Sequence, residues 1–124
     1  MRRLRLSELP EVNEGHILKS VLPGEFIYRG GLSFMKPGQR SHSNDGPGGR
    51  DYHAHQDCEA FVVLEGKGFV EVNKIRDPIR EGDIILIEPG EDHHLIAAEE
   101  NQLVTLWCHA GPVPQYKMAD ERKE

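Results

Sequence analysis

Residues 53–59 read HAHQDCE. His53 and His55 stand one residue apart, and Glu59 follows four later. In an extended chain, side chains at i and i+2 leave on the same face. The two imidazoles therefore project side by side and could share one ion. A tight turn after them would let Glu59 open the next strand facing the same space. Further on, EPGEDHH at 88–94 puts His93 or His94 after a Pro-Gly turn, at the start of another strand. Neutral imidazoles with a carboxylate suit first-row transition metals. Taken singly, a histidine is more often polar surface or a satisfied core group. The combination of H-x-H, a carboxylate at a suitable offset and a second histidine-bearing turn raises the metal reading.

Such ligands need short, rigid elements to hold them. Thirteen glycines and eight prolines break the chain into runs with β character. These are FIYRGGLSFM (26–35), EAFVVLEG (59–66), FVEV (69–72), GDIILIEPG (82–90), HHLIAA (93–98) and LVTLWCHAG (103–111). Short strands separated by turn residues predict an all-β sandwich or barrel. LSELPEV near the start and KMADERKE at the close are weak helix candidates, and a polar tail is expected over 115–124. EAFVVLEG and DIILIEP are apolar on both faces, whereas a half-exposed strand would alternate. Burial on both sides predicts a second sheet or a second subunit, and a homodimer is expected. Residues 38–51, GQRSHSNDGPGGRD, form the clearest loop. It reads equally as a lid over the site or as a mobile surface insertion.

Parity sorts the remaining candidates. Phe61 and Val63 share the face of Glu59 and should line the interior. In LVTLWCHAG, Leu103, Thr105, Trp107 and His109 oppose Val104, Leu106 and Cys108. If the Trp107 set turns inward, His109 approaches the site as an orienting or acid–base group. The preferred reading makes Trp107 barrel packing and His109 a surface residue at a strand end. Cys58 and Cys108 read as free thiols, with Cys58 a plain turn or buried cysteine rather than a reactive one.

With these motifs in order, the sequence resembles the cupin superfamily. The family's first motif, G-x5-H-x-H-x3,4-E-x6-G, is matched from His53 onward by His53, His55, Glu59 and Gly66. The second, G-x5-P-x-G-x2-H-x3-N, is matched by Gly82, Gly90 and His93. Fifteen residues separate Gly66 from Gly82, a short spacing seen in compact members. The first motif's leading glycine falls on Pro47. The second motif's proline falls on Glu88, and its asparagine on Ala97. The resemblance implies a double-stranded β-helix, a jelly-roll barrel, with core about 26–111 inside one domain of residues 1–124. It implies the ligands His53, His55, Glu59 and His93, with His94 second to His93. The cofactor implied is a divalent transition metal: iron, manganese, nickel, copper, cobalt or zinc. A six-coordinate ion held by those four would keep two positions open, as a catalytic site requires.

Size and charge bound the function. The chain has 124 residues, enough for one domain with a real core. Its net charge is −6, and its one basic cluster, MRRLR at 1–5, reads as a solvated start. No nucleic-acid partner is expected, because phosphate binding needs a basic face. No run approaches the ~18 apolar residues of a membrane span, and no secretory pattern follows the basic start; a cytoplasmic location is expected. The expected role is a metal-dependent enzyme on a small polar molecule, of dioxygenase, isomerase or lyase type. The alternative is a non-catalytic small-ligand-binding or sensing module with an anchoring or structural ion.

Overall fold

The structure, a computed structural model, describes residues 1–5, 7 and 26–111. Both helix candidates and the 115–124 tail lie outside those residues, apart from the isolated Ser7. The described residues form eight strands: β1 (Arg2–Arg5), β2 (Phe26–Met35), β3 (Cys58–Glu65), β4 (Lys67–Val72), β5 (Ile75–Arg80), β6 (Asp83–Ile87), β7 (His93–Ala97) and β8 (Leu103–Gly111). They form a five-stranded sheet in the order β1-β6-β3-β8-β2 and a three-stranded sheet in the order β5-β4-β7. Every strand pair is antiparallel. This is the all-β jelly-roll arrangement. Among the described residues no helix is long and apolar enough to cross a membrane.

Side-chain alternation makes the core. Met35, Phe61, Val63, Val70, Ile79, Ile85, Ile87, Leu95, Ala97 and Leu103 form one buried cluster between the sheets. Glu59, Phe61 and Val63 follow one another on that face of β3, as parity required. The odd-numbered set of β8 also turns inward: Leu103 is in the cluster and Trp107 packs against it. The double-sided runs have a second cluster on the other face, where Ala60, Ile84 and Leu86 pack with Leu4, Val62 and Cys108.

Two strands were not expected. MRRLR is no solvated start: β1 pairs with β6, and Arg5 reaches Asp83 through a 2.5 Å hydrogen bond. IRDPIR forms β5, an edge strand, where Pro78 costs no ladder bond that a neighbour needs. Its hairpin with β4 turns on Asn73 (φ 49°) and Lys74 (φ 71°). Two left-handed residues in succession suit the tight turn between antiparallel strands. An Asn-Lys pair is a weaker signal for that turn than Asn-Gly.

The motif glycines have a backbone reason. Gly66 joins β3 to β4 at φ 86°, and a Cβ there would come 2.1 Å from the carbonyl oxygen of Gln102. Gly90 (φ 83°) shapes the turn that leads to His93.

Candidate metal centre

His53 and His55 lie just before β3 rather than within a strand. Backbone hydrogen bonds to the 90–93 turn fix them instead: Gly90 N donates to His55 O, and His93 N donates to His53 O, each at 2.9 Å. Asp92 Oδ1 accepts from His53 N at 2.8 Å. The Gly90 turn thus presents His93 and grips the other histidine-bearing stretch at once. Glu59 follows on β3, pairing with Ile87 of β6 and His109 of β8.

These elements bring His53, His55, Glu59 and His93 together, with one ligand atom from each within 4.8 Å of all the others. His55 Nε2 and His93 Nε2 both lie 3.0 Å from Glu59 Oε1. Their Nδ1 atoms face away: His55 Nδ1 toward Asp57 O at 3.0 Å, and His93 Nδ1 toward Glu91 O at 2.8 Å. Hydrogen bonding at Nδ1 leaves Nε2 lone pairs aimed at a common centre, the arrangement metal-ligating histidines need. The donor set therefore fits a transition-metal ion. His94 points the other way, fully buried, with Nδ1 2.9 Å from Ser41 O and Nε2 3.1 Å from Asp92 Oδ1.

Electrostatics support the cluster. Burial drives His53 down to about 3, helped by repulsion from His42, His93 and His55. Burial also opposes a charge on His55, but hydrogen bonds to Asp57 and Glu59 outweigh it and raise the group to about 10. Glu59 is 6 % exposed. Desolvation alone would raise its pKa, yet hydrogen bonds from His109, His55 and His93 hold it well below the usual carboxylate range. A buried carboxylate kept ionised offers negative charge to a cation.

His109 corrects the reading of it as a surface residue. It is buried, with Nδ1 2.8 Å from Asp57 Oδ2 and Nε2 3.3 Å from Glu59 Oε2. Trp107 stands beside it, ring centroids 5.7 Å apart. Asp57 went unnoticed in the sequence, although it shares strand parity with Glu59. Both cysteines are free and half-buried. Burial pushes both thiols up, so neither is a ready nucleophile.

The 38–51 stretch is tied down. Gly38 N and Ser41 N donate to Ala98 O and Leu95 O, and Ala97 N donates to Gln39 O, so 38–41 pairs along the open side of β7. Arg40 bridges Asp51 (2.8 Å) and Glu71 (2.6 Å). Beyond this anchor His42 stacks on His53 with centroids 3.7 Å apart. Asp45 Oδ2 lies 3.6 Å from His53 Nδ1. The stretch walls a cavity of about 730 Å³ that opens onto the cluster. Phe61, Met35, Leu95 and Trp107 give it an apolar floor, and Arg29, Ser33 and Tyr52 supply polar groups.

A small jelly-roll barrel with a three-histidine, one-glutamate cluster at a cavity defines a class of protein. The cupin domain model matches residues 31–109, and the chain belongs to that family. A Cupin 2 conserved barrel domain protein from Salinispora arenicola is 19% identical, over 98% of this chain and 82% of that one, with a TM-score of 0.57. A predicted oxalate decarboxylase from Thermotoga maritima is 23% identical, over 65% of this chain and 64% of that one, with a TM-score of 0.53. A salicylate 1,2-dioxygenase from Pseudaminobacter salicylatoxidans is 18% identical, over 63% of this chain and 19% of that one, with a TM-score of 0.50. At these identities the likeness is one of fold. No curated protein matches the sequence.

Proposed function

We propose that residues 1–124 form one cupin domain that binds a divalent transition metal through His53, His55, Glu59 and His93 and acts enzymatically on a small polar molecule. The observation that carries this is the convergence of four ligand atoms within 4.8 Å beside an open cavity of about 730 Å³. A bound divalent ion would supply Lewis-acid polarisation of a substrate oxygen. The chain's own residues would do the rest. Phe61, Leu95 and Trp107 would shed water from an organic body.

Dioxygenase, isomerase and lyase chemistry all suit such a site. The oxalate decarboxylase and salicylate dioxygenase names among the neighbours lend support to small acids as substrates. The test is metal analysis of protein purified without added metal, then turnover of enolisable and catecholic compounds with and without oxygen. Turnover that disappears in His53→Ala and on chelation supports the reading. A metal-loaded protein inert toward the whole panel favours a non-catalytic ligand-binding role, which uses the same cavity without turnover.

A homodimer and a cytoplasmic location belong to the same reading. Leu32 (56 % exposed), Phe34 (63 %) and Leu106 (44 %) lie on the outer face of β2 and β8, with Leu64 nearby on β3. An exposed apolar sheet face of this kind suits a partner. Phe34→Asp should shift a dimer to monomer in sedimentation.

A further inference from the structure

We propose that Asp57 and His109 are positioning residues that hold Glu59 to single-oxygen ligation, so that an ion held by the four ligands would keep room for a two-oxygen chelating ligand. This rests on the metal reading above and deepens it.

The two oxygens of Glu59 have separate assignments. Oε1 faces the ligand cluster, 3.0 Å from both His55 Nε2 and His93 Nε2. Oε2 faces His109 Nε2 at 3.3 Å. His109 is held in turn from behind, because its Nδ1 donates to Asp57 Oδ2 at 2.8 Å. The other Asp57 oxygen, Oδ1, lies 2.7 Å from His55 Nδ1. Asp57 thus meets both imidazoles: His109 Nδ1 through Oδ2, and His55 Nδ1 through its backbone oxygen at 3.0 Å, with Oδ1 in ion-pair range. It aims His55 Nε2 at the centre directly, and it aims His109 at the rear oxygen of Glu59.

Burial makes these restraints stiff. Glu59 and His109 are each 6 % exposed, so losing a partner leaves a largely desolvated polar group. The consequence is a count. Three imidazole nitrogens and one carboxylate oxygen would take four positions on a six-coordinate ion. A carboxylate released from His109 can swing its second oxygen onto the ion and take a fifth. A ligand that needs two positions then competes with Glu59, whereas a ligand that needs one does not.

The experiment uses the full chain loaded with cobalt(II), whose visible absorption reports ligand exchange. Acetohydroxamate is the two-oxygen probe and azide the single-atom probe. The wild type and His109→Gln, whose amide N–H can reach Glu59 as Nε2 does, should bind acetohydroxamate with similar affinity. His109→Leu should bind it about tenfold or more weakly, in the range of lost supporting partners, while azide stays within about twofold. Asp57→Asn, read in the same assay should His109→Leu not fold, is expected to show a smaller loss of the same kind. A folded, cobalt-loaded His109→Leu or Asp57→Asn protein that binds acetohydroxamate as the wild type does overturns the proposal. So does a parallel loss of both probes, which a merely structural role would produce. A wild type that takes up no cobalt overturns the metal reading as well, so the two failures are distinct.

Discussion

β7 carries two adjacent histidines with opposite fates. Both are buried, and both set Nδ1 against a backbone carbonyl, Glu91 O for His93 and Ser41 O for His94. The difference lies at Nε2. His93 Nε2 enters a cluster with two more imidazoles and one carboxylate. His94 Nε2 ends on Asp92 Oδ1 at 3.1 Å. Residue type and burial are therefore the same on the two faces, and the neighbours of one nitrogen decide between candidate ligand and staple. Asp92 serves both sides, since its Oδ1 also accepts from the backbone of His53.

The sharpest way to break this comparison is to remove each ring in turn. His93→Ala should reduce metal affinity by about 100-fold or more, beyond the loss seen for supporting residues, as read by zinc titration calorimetry. His94→Ala should bind zinc within about fivefold of wild type. It should instead lose about 2–4 kcal/mol of stability in denaturant unfolding, through lost packing and the lost hydrogen bonds to Asp92 and to Ser41 O. Equal zinc losses in the two variants would erase the distinction.

Metal removal sharpens it next. An ion at about 100 times its Kd stabilises the folded state by about 2.7 kcal/mol. Chelation should therefore lower the Tm of wild type and His94→Ala, and leave His93→Ala unmoved in differential scanning calorimetry.

A smaller effect belongs to the staple side alone. The Arg40 hydrogen bond outweighs burial and holds Glu71 below its ordinary 4.5. A depressed carboxyl pKa means that the stabilisation is full above about pH 4.5 and fades as pH falls through the folded value. Glu71→Gln should cost about 1 kcal/mol at pH 7. The gap in Tm from wild type should close on acidification toward pH 3, at unchanged zinc affinity measured at pH 7. Smallest of all, Arg76→Ala removes a 3.4 Å contact from a half-exposed side chain. It should alter stability by less than about 0.5 kcal/mol and metal affinity not at all.

Local alternation and spacing made much of this legible in advance. Glu59, Phe61 and Val63 announced one face of β3, and the offset from Gly82 and Gly90 chose His93 over His94. These signals are local, so a single chain carries them. Long-range partners were harder. His109 stands fifty residues from Glu59 in sequence, and only the β3–β8 register sets them opposite each other. His42 sits in a polar loop with no periodicity to orient it. β1 gave four residues of mixed character, and its pairing depends on β6. Asp57 was within reach, because it lies two residues before Glu59, but a turn position hid its strand-like direction.

The pairing of 38–41 with β7 has one more effect. A bare outermost strand offers unpaired amides and carbonyls on which a foreign strand can dock and seed aggregates. Here Gln39 and Ser41 occupy such groups on β7, and Gly38 bonds Ala98 just past its end. The polar segment that brings His42 and Asp45 to the cavity mouth therefore also guards the flank of the three-stranded sheet, and shortening it would expose a sticky edge as well as an altered pocket.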